Sequence, residues 1–132
     1  MSTYVLIHGS YQGGWIWKPT AEELVKGGHT VYTPTLDGCA ERSISVRPGI
    51  TIKSQAEEIS GLLNYQDLTD LILVATSTGG LVTCKVAELS RSIVKEIFFV
   101  DALAPMPWYC IQDIVVINPY SPITIFEFTR IS

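Results

Sequence analysis

The chain has 132 residues, of which 47% are hydrophobic and 17% are charged, and its net charge at pH 7 is −4. This length suits one domain, and the apolar content excludes a disordered chain because enough side chains are present to build a core. The acidic charge, with no basic run that interleaves with aromatic residues, does not support nucleic-acid binding. No apolar run is long enough to span a bilayer, so no membrane association is predicted.

Three cysteines, Cys39, Cys84 and Cys110, are odd in number and far apart, and they show no spacing typical of a Cys/His metal site. The sequence begins almost at once with an apolar, strand-like run, with no basic segment and cleavage site before it. We therefore expect reduced, buried thiols, a cytoplasmic location and no bound metal.

The first third of the chain predicts a strand, a loop, a helix and a second strand. Residues 3–8 form a continuous apolar run, which is typical of a strand buried on both faces of a parallel sheet. The glycine-rich residues 9–14 predict a loop. Residues 18–26 have a helical pattern that ends at Gly27 and Gly28, and residues 30–33 predict the second strand.

The middle of the chain continues this alternation. Residues 37–49 have mixed charge and no periodicity, which predicts a loop, and residues 51–64 have an apolar helical face. Residues 71–75 predict a third strand, residues 77–89 a helix, and residues 94–100 a fourth strand. Strands that alternate with helices predict the α/β class, with a parallel sheet flanked by helices.

The composition changes after Pro105. Residues 106–132 have only three charged side chains and include apolar runs that prolines interrupt, so they predict one or two short strands. We therefore divide the chain into a core of residues 1–105 and an atypical apolar tail of residues 106–132.

Residues 74–80 read Val-Ala-Thr-Ser-Thr-Gly-Gly and stand between a predicted strand and a predicted helix. An apolar strand, a small residue, a serine, another small residue and a helix are the pattern of a nucleophile elbow, a tight turn that exposes the serine. Ala75 and Gly79, two positions to either side of Ser77, are small enough for such a turn. We predict that Ser77 is the nucleophile and that the backbone N–H of Thr78 helps to bind an oxyanion.

The same residues also fit a simpler interpretation. A helix cap rich in serine and threonine, in which Gly79 and Gly80 permit close packing on the sheet, would need no catalytic function. The preceding buried strand and the His8–Gly9–Ser10 sequence at the end of the first strand favour the elbow, since both strand ends would meet at one edge of the sheet.

That loop predicts a second oxyanion donor, the backbone N–H of Ser10. His8 and Gly9 are predicted to support the loop, with His8 a hydrogen-bonded structural histidine rather than the catalytic base. His29, the other histidine of the sequence, follows a helix and is expected to lie far from Ser77.

Several stretches together resemble the short α/β-hydrolases. They are Tyr-Val-Leu-Ile-His-Gly from residue 4, Gly-Gly-Trp-Ile-Trp from residue 13, Gly-His-Thr-Val-Tyr-Thr-Pro from residue 28, residues 71–80, and Phe-Phe-Val-Asp-Ala from residue 98. The branch is similar to plant methyl esterases, hydroxynitrile lyases and small bacterial esterases, including one that hydrolyses a benzimidazole carbamate. The resemblance covers residues 1 to about 105.

The resemblance implies the N-terminal half of an α/β-hydrolase fold and a serine, histidine and acid triad without metal or organic cofactor. Ser77 matches the nucleophile, and Ser10 and Thr78 match the oxyanion donors. The acid, the histidine and a helical cap come later in this family than residue 132, so a C-terminally shortened hydrolase is predicted. Asp101 is the nearest candidate acid, although a role in ending the strand is preferred for it, and Asp113 is weaker.

Three functions remain open from the sequence. The first is a serine hydrolase that acts on a small carboxylic ester, carbamate or amide. The second is an inactive, shortened hydrolase-like protein, and the third is an assembly module that associates with itself through an exposed sheet edge. Hydroxynitrile lyase chemistry ranks below the hydrolase.

Overall fold

A five-stranded sheet forms the centre of the structure, a computed structural model that describes residues 1–103 and 129–131. The strands lie in the order β2-β1-β3-β4-β5. The first four are mutually parallel, and β5 is antiparallel to β4. Their bounds are β1 Thr3–Ile7, β2 Thr30–Tyr32, β3 Leu71–Ser77, β4 Val94–Ala102 and β5 Thr129–Ile131. This architecture confirms the predicted α/β class.

Helices connect the parallel strands. They are α1 Lys18–Lys26, α2 Ile52–Tyr65 and α3 Gly79–Leu89, and 3₁₀ turns cover Gly14–Trp17 and Ala40–Ser45. Helix α2 begins where the hydroxyl of Thr51 accepts the N–H of Ser54 and the hydroxyl of Ser54 accepts the N–H of Thr51. This reciprocal cap satisfies two backbone donors that would otherwise lack helical partners.

The main core lies between the sheet and one layer of helices. Alternate residues of the strands, among them Val5, Leu73 and Phe99, pack with α2 and α3, which contact each other. The chain moves across the sheet in one direction from β1 to β2 and in the other direction from β2 to β3 and β4. Because crossovers between parallel strands are right-handed, α1 lies on the face opposite to α2 and α3. Val5, Leu6 and Ile7 are each 0% exposed, as expected for a strand covered on both faces.

Two predicted boundaries near the elbow are wrong. Strand β3 continues through Ser77, and α3 begins at Gly79 rather than at Ser77. Ser77 is hence the last strand residue, held there because it remains in register with Ala102 of β4. Sheet pairing extends the strand beyond the apolar run from which its end was predicted. The predicted loop of residues 37–49 also contains a 3₁₀ turn, Ala40–Ser45.

The predicted apolar tail of residues 106–132 lies outside the described residues, apart from the backbone of β5. Cys110 and Asp113 lie there as well. Strand β5 pairs with residues 97–99 of β4, so backbone from the chain itself lies along that part of the sheet edge.

The topology determines where a site can form. Strands β1 and β3 are neighbours, but the chain leaves β1 towards β2 and leaves β3 towards β4, in opposite directions across the sheet. The two loops at their carboxyl ends therefore diverge and leave a crevice between them. Ligands of open α/β sheets bind at such a switch point.

Candidate active site

The crevice between β1 and β3 brings together the two predicted parts of the site. The loop that begins at His8 follows β1, and Ser77 ends β3. The register pairs Ile7 with Ala75, so the two strands reach the same edge of the sheet. Ala75 is 0% exposed and lies in the core beneath the turn.

Ser77 has a strained backbone. Its φ is +52°, in the left-handed region that residues other than glycine rarely adopt. The next residue, Thr78, already has helical angles, so the chain changes from strand to helix within two residues. The carbonyl of Ser77 accepts the N–H of Leu103 at 2.9 Å. Such strain persists only where the surrounding structure enforces it, and it concentrates at functional sites.

Three glycines let the backbone segments around the serine approach each other. A Cβ atom on Gly9 would lie 2.6 Å from the Cβ of Ser77, and one on Gly79 would lie 2.3 Å from the carbonyl oxygen of His8. A Cβ atom on Gly80 would lie 2.1 Å from the carbonyl oxygen of Leu103. Real Cβ atoms do not approach so closely, so any side chain at these positions would force the strand ends and α3 apart.

Ser10 and Thr78 are in direct contact across the crevice. The N–H of Ser10 donates to the Thr78 hydroxyl oxygen at 2.8 Å, and the two hydroxyl oxygens are also 2.8 Å apart. Thr78 precedes the first turn of α3, where backbone N–H groups and the positive end of the helix dipole point out of the helix. The two predicted oxyanion donors are therefore adjacent.

His8 is 0% exposed and forms two hydrogen bonds that hold the β1 loop. Its Nε2 accepts the N–H of Leu36 at 2.9 Å, and its Nδ1 lies 2.8 Å from the carbonyl oxygen of Gly9. These partners assign the proton to Nδ1, which donates to Gly9. Burial lowers the pKa of His8, so the ring is neutral at pH 7. With both nitrogens engaged, the ring cannot take a proton from Ser77.

His29 lies at the other end of the sheet. Its Nδ1 accepts the N–H of Ser2, and its ring packs edge-on against Tyr4 with the ring centroids 5.3 Å apart. Since Thr3 pairs with Thr30 and β1 rises about 3.3 Å per residue, roughly 20 Å of sheet separates His29 from Ser77.

A family model described as the alpha/beta hydrolase family matches residues 4–129. The chain belongs to this family. The match spans nearly the whole sequence, and it agrees with the parallel strand order described above.

Two curated relatives support the esterase branch of the alpha/beta hydrolases. A carbendazim hydrolyzing esterase of Nocardioides sp. (strain SG-4G) is 34% identical over 105 residues, which are 80% of this chain and 43% of that protein. Methylesterase 7 of Arabidopsis thaliana is 30% identical over 118 residues, which are 85% of this chain and 45% of that protein. The chain thus spans less than half the length of these relatives.

A solved structure gives the same result. An extracellular alpha/beta-hydrolase from a Paenibacillus species is 37% identical and superposes with a TM-score of 0.74, over 80% of this chain and 43% of that one. Its description reports structural and functional homology to Tobacco Salicylic Acid Binding Protein 2. These similarities confirm the predicted family and fold.

Asp101, the nearest candidate acid of the sequence, lies beside Ser77. It is exposed, has a φ of +49°, and lies one residue before the end of β4. Thr76 pairs with Val100 and Ser77 with Ala102, so Asp101 is the extra residue of a bulge beside Ser77. Alternating apolar residues give no sign of such a bulge, and the sequence did not predict it.

Sequence reasoning also missed the segment that supports the β1 loop. The hydroxyl of Thr35 accepts the N–H of Gly14 at 3.0 Å and donates to the carboxylate of Glu41. Together with the Leu36 bond to His8, this contact ties both ends of the loop to one buried segment. No motif marks Thr35, because its partner lies 21 residues earlier in the chain.

A cluster of charged side chains holds the segment that contains Thr35 and Leu36 in place. Asp37 is 6% exposed, and its carboxylate pairs with Arg42 at 3.4 Å and with Arg47 at 2.8 Å. Arg42 also pairs with Glu58 of α2. The hydrogen bond and positive charge of Arg47, assisted by Arg42, lower the pKa of Asp37. The cluster joins the chain after β2 to α2.

A cavity of about 130 Å³ adjoins Ser10 and Thr78. Its walls include the backbone of Gly9 and the apolar side chains of Leu36, Ile52 and Val82.

In the described part of the chain no group of three or more His, Cys, Asp or Glu residues is arranged to hold a metal ion. Within the same residues, no helix has the length and apolar character needed to cross a membrane.

Proposed function

We propose that this protein is a serine hydrolase in which Ser77 attacks the carbonyl carbon of a small ester, carbamate or amide. One observation carries the proposal. Ser77 combines a left-handed backbone with a position at the sheet switch point, where only a glycine at position 9 fits against it. This is the geometry that a strand-to-helix turn needs to expose a nucleophile.

The chemistry follows from the groups around the serine. As the bond between Ser77 Oγ and the carbonyl carbon forms, the hydroxyl proton passes to a base and the carbonyl oxygen gains the negative charge. The backbone N–H groups of Ser10 and Thr78 bind this oxyanion. The leaving alcohol or amine then departs with a proton, and water hydrolyses the acyl-enzyme.

Neither histidine of the 132 residues is available as that base. His8 is buried with both nitrogens engaged, and His29 lies at the far end of the sheet. A serine hydroxyl without a base is a weak nucleophile, and the oxyanion donors alone retain only a fraction of the acceleration. We therefore expect slow acylation from these residues alone.

The substrate class rests on the similarities and on the size of the crevice. Relatives named as esterases, one of them a carbendazim hydrolyzing esterase, favour a small ester or carbamate. The cavity beside Ser10 and Thr78, of about 130 Å³, has room for a short alkyl group.

A fluorophosphonate probe tests the nucleophile. Mass spectrometry of the labelled protein should find the adduct on Ser77, and Ser77→Ala should remove it. Ser92→Ala, a change at an exposed serine in the turn before β4, should leave the labelling rate unchanged. Equal labelling of wild type and Ser77→Ala would exclude Ser77 as the nucleophile.

The inactive and assembly alternatives have separate tests. Turnover of p-nitrophenyl acetate by the purified chain, abolished in Ser77→Ala, would exclude the inactive protein. A monomer in light scattering at high concentration would count against self-association. The cytoplasmic location stays a prediction.

A further inference from the structure

The side chain of Thr78 does not form the hydrogen bond that is usual at its position in the helix. It is the N-cap residue of α3, where a threonine hydroxyl ordinarily accepts an N–H from the first turn of the helix. Thr78 forms no such side-chain cap. Its hydroxyl oxygen instead accepts the N–H of Ser10, 68 residues away, at 2.8 Å.

We infer that the Thr78 hydroxyl is a gate that occupies the oxyanion's place at the Ser10 N–H in the free protein. This inference rests on the proposed function, because it takes the Ser10 amide as an oxyanion donor. A ligand oxygen can accept that N–H only after the Thr78 side chain turns away. Thr78 then contributes a backbone donor to the site and a side chain that competes with the ligand.

Such a gate discriminates between forms of the substrate. A hydroxyl and a neutral ester carbonyl are acceptors of comparable strength, so a substrate gains little by displacing Thr78. A full negative charge on oxygen makes a hydrogen bond roughly twice as strong. The gate therefore opens more readily for the oxyanion than for the bound ester, and this difference favours the transition state over the ground state.

The Thr78 hydroxyl has a second partner in the closed position. The Ser10 hydroxyl oxygen is 2.8 Å from that of Thr78, and both residues lie at the surface of the crevice. Ser10 therefore holds the closed gate at two points, through its N–H and through its hydroxyl.

Hydrogen exchange of the Ser10 amide tests the closed state. Thr78→Val keeps the shape of the side chain without the hydroxyl, so Ser10 should exchange about two- to tenfold faster. Thr78→Ser keeps the hydroxyl and should exchange like wild type. Thr20→Val, the same change at an exposed position of α1, is the matched control. Equal Ser10 exchange in wild type and Thr78→Val would overturn the gate.

Phenylboronic acid tests the competition. Its boron accepts an electron pair from Ser77 Oγ, the serine proton leaves to the buffer, and a tetrahedral anion forms. Thr78→Val should bind it about two- to tenfold more tightly than wild type or Thr78→Ser. Equal affinity would overturn the gate. Binding that survives in Ser77→Ala would instead contradict the proposed nucleophile, while the exchange result would still decide whether Thr78 holds the Ser10 amide.

Discussion

Gly9 and Ser77 are in van der Waals contact, although 68 residues separate them in the sequence. A Cβ atom added to Gly9 would lie 2.6 Å from the Cβ of Ser77 and 3.0 Å from its Oγ. The backbone after β1 thus forms one wall of the site directly against the candidate nucleophile. Because the contact joins two adjacent strand ends, it couples the position of the β1 loop to that of the serine.

A methyl group at position 9 should damage the site and the fold together. We expect Gly9→Ala to lower the free energy of unfolding by about 1–3 kcal/mol, since overpacking must displace Ser77 or the loop. It should also slow fluorophosphonate labelling. Thermal denaturation and labelling rates measure the two effects.

Gly61 provides the control, because a Cβ atom there would meet nothing within 4 Å and the residue lies inside α2. Gly61→Ala should raise the free energy of unfolding by about 0.5–1 kcal/mol. If both substitutions had the same effect on stability, the close contact between Gly9 and Ser77 would be refuted.

His8 should act as a structural group that must stay neutral. Burial lowers its pKa in the folded protein, so its contribution to stability is complete above the unfolded pKa of about 6.5 and is lost as the pH falls towards the folded pKa. His8→Phe leaves the Leu36 N–H without its acceptor and should cost about 1–3 kcal/mol at pH 7. Chemical denaturation of both proteins from pH 7.5 downwards checks this, and a wild-type stability that rose below pH 6.5 would contradict it.

Asp37 should stabilise the protein in a different pH range. Its pKa is held below the ordinary value by the hydrogen bond and charge of Arg47. Its contribution is therefore complete above the unfolded pKa of about 3.9 and is lost as the pH falls through the folded pKa. Asp37→Asn should lower the melting temperature at pH 7, and the difference from wild type should shrink below pH 4.

The matched control for Asp37 is Glu57→Gln, which breaks a 3.8 Å pair with Lys53 on the exposed side of α2. Exposed pairs of this kind contribute little, so its melting temperature should stay close to that of wild type. A difference for Asp37→Asn that stayed constant from pH 7 to pH 3 would show that the carboxylate charge is not what stabilises the segment.

Cys84 should be an unreactive thiol. Cys84 lies on α3, and its burial raises the pKa of the thiol from 9.0 to about 11. At pH 8 it therefore has about a hundredfold less thiolate than a cysteine at the ordinary value. Iodoacetamide labelling followed by peptide mass spectrometry should find Cys84 nearly unmodified in the folded protein and fully modified in guanidinium. Rapid labelling in the folded state would contradict the burial.

The sequence predicted the strands and helices well where hydrophobic periodicity was strong. The continuous apolar run of β1 and the helical face of α2 were found because burial on fixed faces repeats along the chain. The start of α3 was missed by two residues. Pairing of Ser77 with Ala102 extends β3, and a partner in another strand leaves no local signal.

The site was predicted in part for the same reason. Ser77, Ser10 and Thr78 lie in short motifs next to predicted strand ends, and parallel strands bring such ends to one edge. The bulge at Asp101 and the support that Thr35 gives to Gly14 were not predicted, because each depends on the register or approach of segments distant in sequence.

By itself, then, the sequence determined the parallel α/β fold and the family resemblance and predicted the residues of the candidate site, since those follow from local pattern and composition. The tertiary structure decided the left-handed backbone at Ser77, the glycine contacts around it, the engagement of both His8 nitrogens and the hydroxyl of Thr78 on the Ser10 amide. All of these are contacts between segments that are remote along the chain. Only packing of the whole sheet brings these groups together.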